Sequence, residues 1–263
     1  MKESVASAPA RTARNVAPSE ILRFRASERQ LHWAIAAPFT VCLATALVLV
    51  SVYNPHPARP FRWVFAWTHR ASGACLAILP LWTFVRHRAD LMVHLHNLRE
   101  AWTWTRDDLR WLALMGPATL NKRIVLPHQG KFNAAEKINF MVLTLTYPLY
   151  VVTGLLIWLP GAAYLSWLVH VSMALCAVPL ILGHVFMATL NPDTRVGLTG
   201  MTTGFVDREW ARHHYRRWYD DHFGASEVVA EAAPEPVATA PHLVLVEPSG
   251  AGSDTGDDDT VAA

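Results

Sequence analysis

Four of the thirteen histidines lie in or at the edge of long apolar runs: His32, His69, His170 and His184. The stretch "SWLVHVSMALCAVPLILGHVF", Ser166–Phe186, holds two of them in an otherwise greasy sequence. An imidazole taken out of water needs compensation. It can ligate a metal, carry a proton or hydrogen-bond within the protein. Fourteen residues is close to four helical turns, so His170 and His184 project to nearly the same side of one helix, about 21 Å apart.

The elements that carry them follow from hydropathy. Just over half of the 263 residues are apolar, eleven are Trp, and only 17% are charged. Four long uncharged runs stand out, roughly Trp33–Val52, Val64–Val85, Ile138–Leu159 and Leu165–Leu190. Each is long enough to cross about 30 Å of hydrocarbon. Pro38, Pro80, Pro148 and Pro179 interrupt them, which membrane helices tolerate. The first run is too long and too deep in the chain for a cleaved signal peptide. The expected fold is an all-α membrane protein, a four-helix transmembrane bundle.

Charge orients the bundle. Lys2, Arg11, Arg14, Arg23, Arg25 and Arg29 precede the first span. Eight Lys or Arg lie in 86–135 and five in 191–224, whereas the two opposite loops hold only Arg59 and Arg62. The positive-inside bias places both termini and the 86–135 connection on the cytoplasmic side of the membrane. The chain then divides into a cytoplasmic N-terminal segment (1–30), a transmembrane domain (31–223) and an acidic tail (224–263) with the composition of disorder. The domain includes a cytoplasmic loop (86–137), with a turn marked by Gly116 and Pro117. It also includes a basic, aromatic amphipathic segment (195–223) suited to the headgroup level.

This topology sets the depth of each imidazole. His69 and His170 each lie five residues into a span that starts outside. His32 opens the first span at the cytoplasmic edge, and His184 lies near the cytoplasmic end of the fourth. Two pairs at matched depths suit two b-type haems, each held by imidazoles from opposite helices. With both axial positions taken, such haems move electrons and do not bind oxygen. The competing readings are structural hydrogen bonding and a haem-free, proton-coupled transporter with histidine relays. Gly73, one turn after His69, and Gly154, in the third span, would let a flat macrocycle approach the backbone, or would simply pack helices closely. Arg62 and Arg70 are propionate partners for the outer haem, and Arg29 for the inner one; snorkelling to the interface is the alternative for Arg29 and Arg62. Cys42, Cys75 and Cys176 all fall within spans. Neither CxxC nor CxxCH occurs, so iron–sulfur ligation and covalent c-type haem are not supported.

"LHW" with His32, "THRASG" with His69, "LVH" with His170 and "LGHVFMA" with His184 resemble the dihaem cytochrome b, or gamma, subunit of membrane-bound formate dehydrogenase. The cytochrome b subunits of nickel–iron hydrogenases and thiosulfate reductases are similar. The likeness continues through "GKFNAAEK" (Gly130–Lys137) and "MTTGFVDREWARHHYRRWY" (Met201–Tyr219), and covers roughly residues 21–222. The resemblance implies pairing of His69 with His170 and of His32 with His184, which the depths also give. It implies a quinone site beside the inner haem, bordered by Asn133, Ala135 and Glu136. There the family usually carries glycine and glutamine in place of Ala135 and Glu136. Asn133 would hydrogen-bond a quinone oxygen and Glu136 relay a proton; the alternative is a helix cap. It also implies an iron–sulfur subunit and a catalytic dehydrogenase subunit as partners, alongside lipid and quinone and without nucleic acid. The expected role is electron transfer from a periplasmic dehydrogenase, formate dehydrogenase above all, through two haems to quinone. A cytochrome b of another quinone-linked oxidoreductase, or a free-standing one, is the alternative.

Overall fold

The computed structural model describes residues 19–121, 123–159, 161 and 163–224. The acidic tail expected over 224–263 lies outside the described residues beyond Gly224, as do residues 1–18 of the N-terminal segment. The elements in chain order are β1 (Glu20–Leu22), α1 (Ala26–Val48), α2 (Arg62–Arg86), α3 (Leu91–Trp102), α4 (Arg106–Leu120) and α5 (Ala134–Leu156). There follow α6 (Ala163–Thr189), α7 (Gly197–Thr202), β2 (Phe205–Asp207), α8 (Arg208–His214) and α9 (Arg216–Tyr219). Wider π-helical turns extend α1 to Tyr53 and α9 to Gly224.

Three helices are long and apolar enough to cross a membrane by length and composition: Ala26–Tyr53, Ala134–Leu156 and Ala163–Thr189. A helix suits such a place because it satisfies every backbone group internally. The 25-residue α2 is as long but carries Arg62, His69, Arg70 and Arg86, so its composition is more polar. Helices α1 and α2 form the most extensive pair, and α5 and α6 the next. Few side chains of the three apolar helices are buried, and large apolar ones such as Leu47, Leu155, Leu168 and Leu182 face outward.

Helix starts are marked by local hydrogen bonds. The Arg25 N–H donates to Glu28 at the head of α1, and Thr105 and Asp108 cap α4 reciprocally. Phe61, with φ of 66°, sits in the left-handed region just before α2, and the buried Tyr53 hydroxyl donates to the Pro60 carbonyl across that turn.

The buried core gathers at one end of the bundle, where β1, α3 and α4, and the segment from α7 onward meet the ends of the long helices. Ile21, Val206, Ala211, Tyr215, Trp218 and Tyr219 form one cluster, and Phe24, Ala101 and Phe132 another. Polar ties accompany them. Lys131 Nζ reaches Glu28 at 2.5 Å and Asn97 at 2.8 Å, and Asn97 donates to Glu28 at 2.6 Å.

The chain is mostly helical, as expected, with one short ribbon in addition: β1 and β2 pair antiparallel with Ile21 opposite Val206. Four expectations change. The 86–137 loop is largely two helices, α3 and α4. The turn expected at Gly116–Pro117 is the last turn of α4: proline there costs one hydrogen bond near an end that comes three residues later. His32 does not open its helix but follows its first residue by six, since the capped start lies at Ala26. The amphipathic segment folds back as α7, β2, α8 and α9, because Tyr215, Trp218 and Tyr219 find an apolar core to enter; Tyr219 is wholly buried.

Candidate functional site

His69 follows the first residue of α2 by seven, and His170 follows that of α6 by seven, so each stands about 10 Å along its helix. Their ring centroids are 6.1 Å apart, with planes at 76°. His32 on α1 and His184 on α6 have centroids 6.3 Å apart, with planes at 48°. The four imidazoles thus form two facing pairs about 21 Å apart along α6.

Each ring of the His69–His170 pair is held from behind by a neighbouring helix. His69 Nδ1 lies 3.0 Å from the Cys42 carbonyl and 3.0 Å from Thr45 Oγ1, both on α1. His170 Nδ1 lies 2.9 Å from Thr153 Oγ1, on α5. A threonine hydroxyl has one proton to give. Thr45 donates it to the Val41 carbonyl at 2.7 Å, and Thr153 to the Leu149 carbonyl at 2.6 Å. The Cys42 carbonyl can only accept, so His69 carries its proton on Nδ1; the Thr153 hydroxyl, with its own proton within reach of the Leu149 carbonyl, is placed to accept from His170 Nδ1 in the same way. With the proton on Nδ1, Nε2 keeps a free lone pair, the state a metal needs. Thr45, Thr153 and the Cys42 carbonyl were not singled out from the sequence.

The second pair is held differently. Trp33 stacks edge-on to His32 at 5.1 Å and anchors itself through an indole hydrogen bond to the Met201 carbonyl. His32 Nδ1 is buried without a hydrogen-bond partner among the described residues.

Two imidazoles on opposite sides of one metal ion, each bonded at about 2 Å, place their ring centroids roughly 6 Å apart. Both pairs fit that spacing. The glycines fit a flat group as well. A Cβ at Gly73 or Gly183 would meet no atom within 4 Å, and one at Gly154 would stand 3.5 Å from His170 Cε1. Among the described residues no group of three or more His, Cys, Asp or Glu forms a separate metal site.

The arginines are spread over both ends. Arg29 lies one turn before His32 and donates to the Phe24 carbonyl at 3.0 Å. Arg62 is exposed at the start of α2. Arg70 lies next to His69, over Trp67 at 5.2 Å and near Trp158 at 5.9 Å.

At the start of α5, Asn133 Oδ1 accepts from the Glu136 N–H, and the Glu136 carboxylate accepts from the Asn133 N–H, both at 2.9 Å. The cap is therefore formed. The Glu136 carboxylate also accepts from the Tyr215 hydroxyl at 2.7 Å, with Arg23 at 3.9 Å. Burial pushes the Tyr215 phenol well above its ordinary range, so it stays a donor. Ala135 is half-buried beside them.

A sequence profile of prokaryotic cytochrome b561 matches residues 23–204, more than half of the chain and all four histidines. The chain belongs to the prokaryotic cytochrome b561 family. It is thus a membrane cytochrome, of a class that carries b-type haem. Among its relatives, the cytochrome b556(Fdn) subunit of nitrate-inducible formate dehydrogenase from Escherichia coli K12 is 26% identical over 216 residues, covering 76% of this cytochrome and 90% of that protein. The cytochrome b556 subunit of formate dehydrogenase from Haemophilus influenzae is 24% identical over 216 residues, covering 76% and 83%. The cytochrome b556(fdo) subunit from E. coli K12 is 24% identical over 221 residues, covering 80% and 97%.

Proposed function

We propose that this cytochrome is the dihaem membrane subunit of a formate dehydrogenase, carrying electrons from partner subunits through two haems to quinone. The observation that carries the reading is the pair of facing imidazole sets at the spacing of bis-histidine ligation, at two depths of one bundle. His69 and His170 would hold one haem, and His32 and His184 the other. Bound there, haem supplies reversible one-electron chemistry at an iron with no open position. The partner follows from the likeness to formate dehydrogenase cytochrome subunits; a hydrogenase or thiosulfate reductase partner is the alternative.

In this reading α1, α2, α5 and α6 all cross the inner membrane, with the His32–His184 end toward the cytoplasm. The basic residues gathered there, Arg23, Arg25, Arg29, Lys131 and Arg208 among them, suit that side. Arg29 would neutralise inner propionates, and Arg62 and Arg70 outer ones. Quinone would bind beside His32 and His184, where α5 begins. Asn133 Oδ1 is committed to the cap, so its Nδ2 would donate to a quinone oxygen. Glu136 would move a proton there, with Tyr215 holding its carboxylate in place, and Ala135 would border the ring. The folded 201–219 segment, joined to Glu136 through Tyr215, offers a surface for an iron–sulfur subunit.

The test is a haem assay and visible spectrum of the purified chain. Two haems per chain and a low-spin, six-coordinate spectrum unchanged by carbon monoxide are expected. A chain purified from haem-replete cells without haem would support the transporter reading instead. Co-purification with formate-dependent haem reduction would identify the donor.

A further inference from the structure

The two imidazole pairs are supported unequally. His69 and His170 both donate from Nδ1 to oxygen acceptors at 2.9–3.0 Å, whereas among the described residues neither ring of the His32–His184 pair has a hydrogen bond. The acceptors for the first pair come from two different helix pairs. Thr45 on α1 serves α2, and Thr153 on α5 serves α6. Each threonine lies 19 residues after the first residue of its helix, Ala26 or Ala134, and each is 8% exposed. Both aim an accepting oxygen because their own protons go to carbonyls one turn back.

An Nδ1–H···O bond draws the proton partly off the ring and makes Nε2 a more basic ligand. A more basic ligand stabilises the ferric state over the ferrous and lowers the reduction potential; a hydrogen bond to the ligating imidazole is one of the protein's levers on haem iron. We infer that Thr45, Thr153 and the Cys42 carbonyl are positioning groups that fix His69 and His170 and give the haem this pair holds the lower potential of the two. This rests on the dihaem reading above. It makes the step from the His69–His170 centre to the His32–His184 centre downhill, in the direction of the proposed quinone site. A purely structural role for the threonines as interhelical glue predicts lost stability and no change in potential.

The two threonines should differ. Among the described residues Thr153 is the only hydrogen-bond partner of His170, while His69 keeps the Cys42 carbonyl if Thr45 is lost. The test is an optical redox titration of the purified full chain, wild type against Thr153→Val, Thr153→Ser and Thr45→Val. The His32→Ala chain, which retains only the His69–His170 centre, assigns the components. The expectation is two unequal one-electron components, with the lower belonging to His69–His170. Thr153→Val should raise that component by a tenfold change in its reduced-to-oxidised ratio, about 59 mV for one electron. Thr45→Val should raise it less, Thr153→Ser should restore it, and haem content should stay at two in the three threonine variants. Two haems with unshifted potentials in both valine variants would overturn the inference and leave the dihaem reading intact. So would a wild type whose His69–His170 component is the higher, a result that needs no threonine variant. A wild type with fewer than two haems would overturn the underlying reading itself.

Discussion

Lys137 Nζ stands 3.1 Å from both carboxylate oxygens of Asp108, and both side chains are 1% exposed. The pair ties α4 to the first turn of α5 and so holds the Asn133–Glu136 segment in register. Removing one member leaves the other charge buried without its counter-charge. Asp108→Asn should therefore destabilise the chain by about 3–5 kcal/mol, and adding Lys137→Met should recover most of the loss. Thermal unfolding in detergent reads both. A single variant as stable as the parent would show the pair to be dispensable.

The same carboxylate gives a pH dependence. Burial alone would raise the Asp108 acid, but the Thr105 N–H and hydroxyl and the Lys137 ammonium outweigh it and hold the group below its ordinary range. A carboxylate depressed in the folded state contributes stability that is complete above its unfolded value of about 4 and is lost as pH falls further. The parent should lose stability steeply in that window, and Asp108→Asn less so. Parallel profiles for the two would contradict this.

The Tyr215–Glu136 bond fastens the C-terminal segment to α5. Hydrogen bonds to charged groups are worth about 1.5–3 kcal/mol. Tyr215→Phe should lose that order of stability and make 197–224 more sensitive to limited proteolysis while both haems remain. Unchanged cleavage there would mean that the aromatic cluster around Trp218 and Tyr219 holds the segment unaided.

At the proposed quinone site, Asn133→Asp keeps an acceptor for the Glu136 N–H but loses the Nδ2 donor, and Asn133→Leu loses both. Both variants should keep two haems, reducible by dithionite, and slow their reoxidation by a soluble quinone analogue. Only the leucine variant should also lose about 1 kcal/mol of stability. Parental reoxidation in both would move the quinone site elsewhere.

Much of this was legible in the sequence, for one physical reason: an imidazole in a long apolar run has few ways to exist. Residue spacing and the side on which each span starts were enough to put His69 level with His170. What stayed hidden was the contribution of groups that look ordinary one at a time. A threonine bonded back to its own helix reads as normal membrane-helix composition. Thr45 and Thr153 stand out only when the depth argument used for the histidines is extended to every polar residue of the spans. The β1–β2 ribbon joins three-residue strands that lie near opposite ends of the described residues, too short for an alternating pattern to show. The α3–α4 helices lay in a charged stretch without a long apolar run, where a loop was the simpler reading.

Gly73 separates polypeptide packing from haem packing. A Cβ there meets no atom of the chain within 4 Å, so the protein alone has room for a larger side chain. Gly73→Leu should nonetheless lower haem content, because the leucine would occupy the approach to the macrocycle held by His69. Full haem content in this variant would place the macrocycle away from that face of α2.

The central claim is tested most directly by haem content in the four ligand variants, measured by extraction assay per polypeptide. His69→Ala and His170→Ala should each fall from two haems toward one and should lose the same spectral component. His32→Ala and His184→Ala should each lose the other. Two haems retained in His170→Ala, or the same component lost from His170→Ala and His184→Ala, would contradict the account.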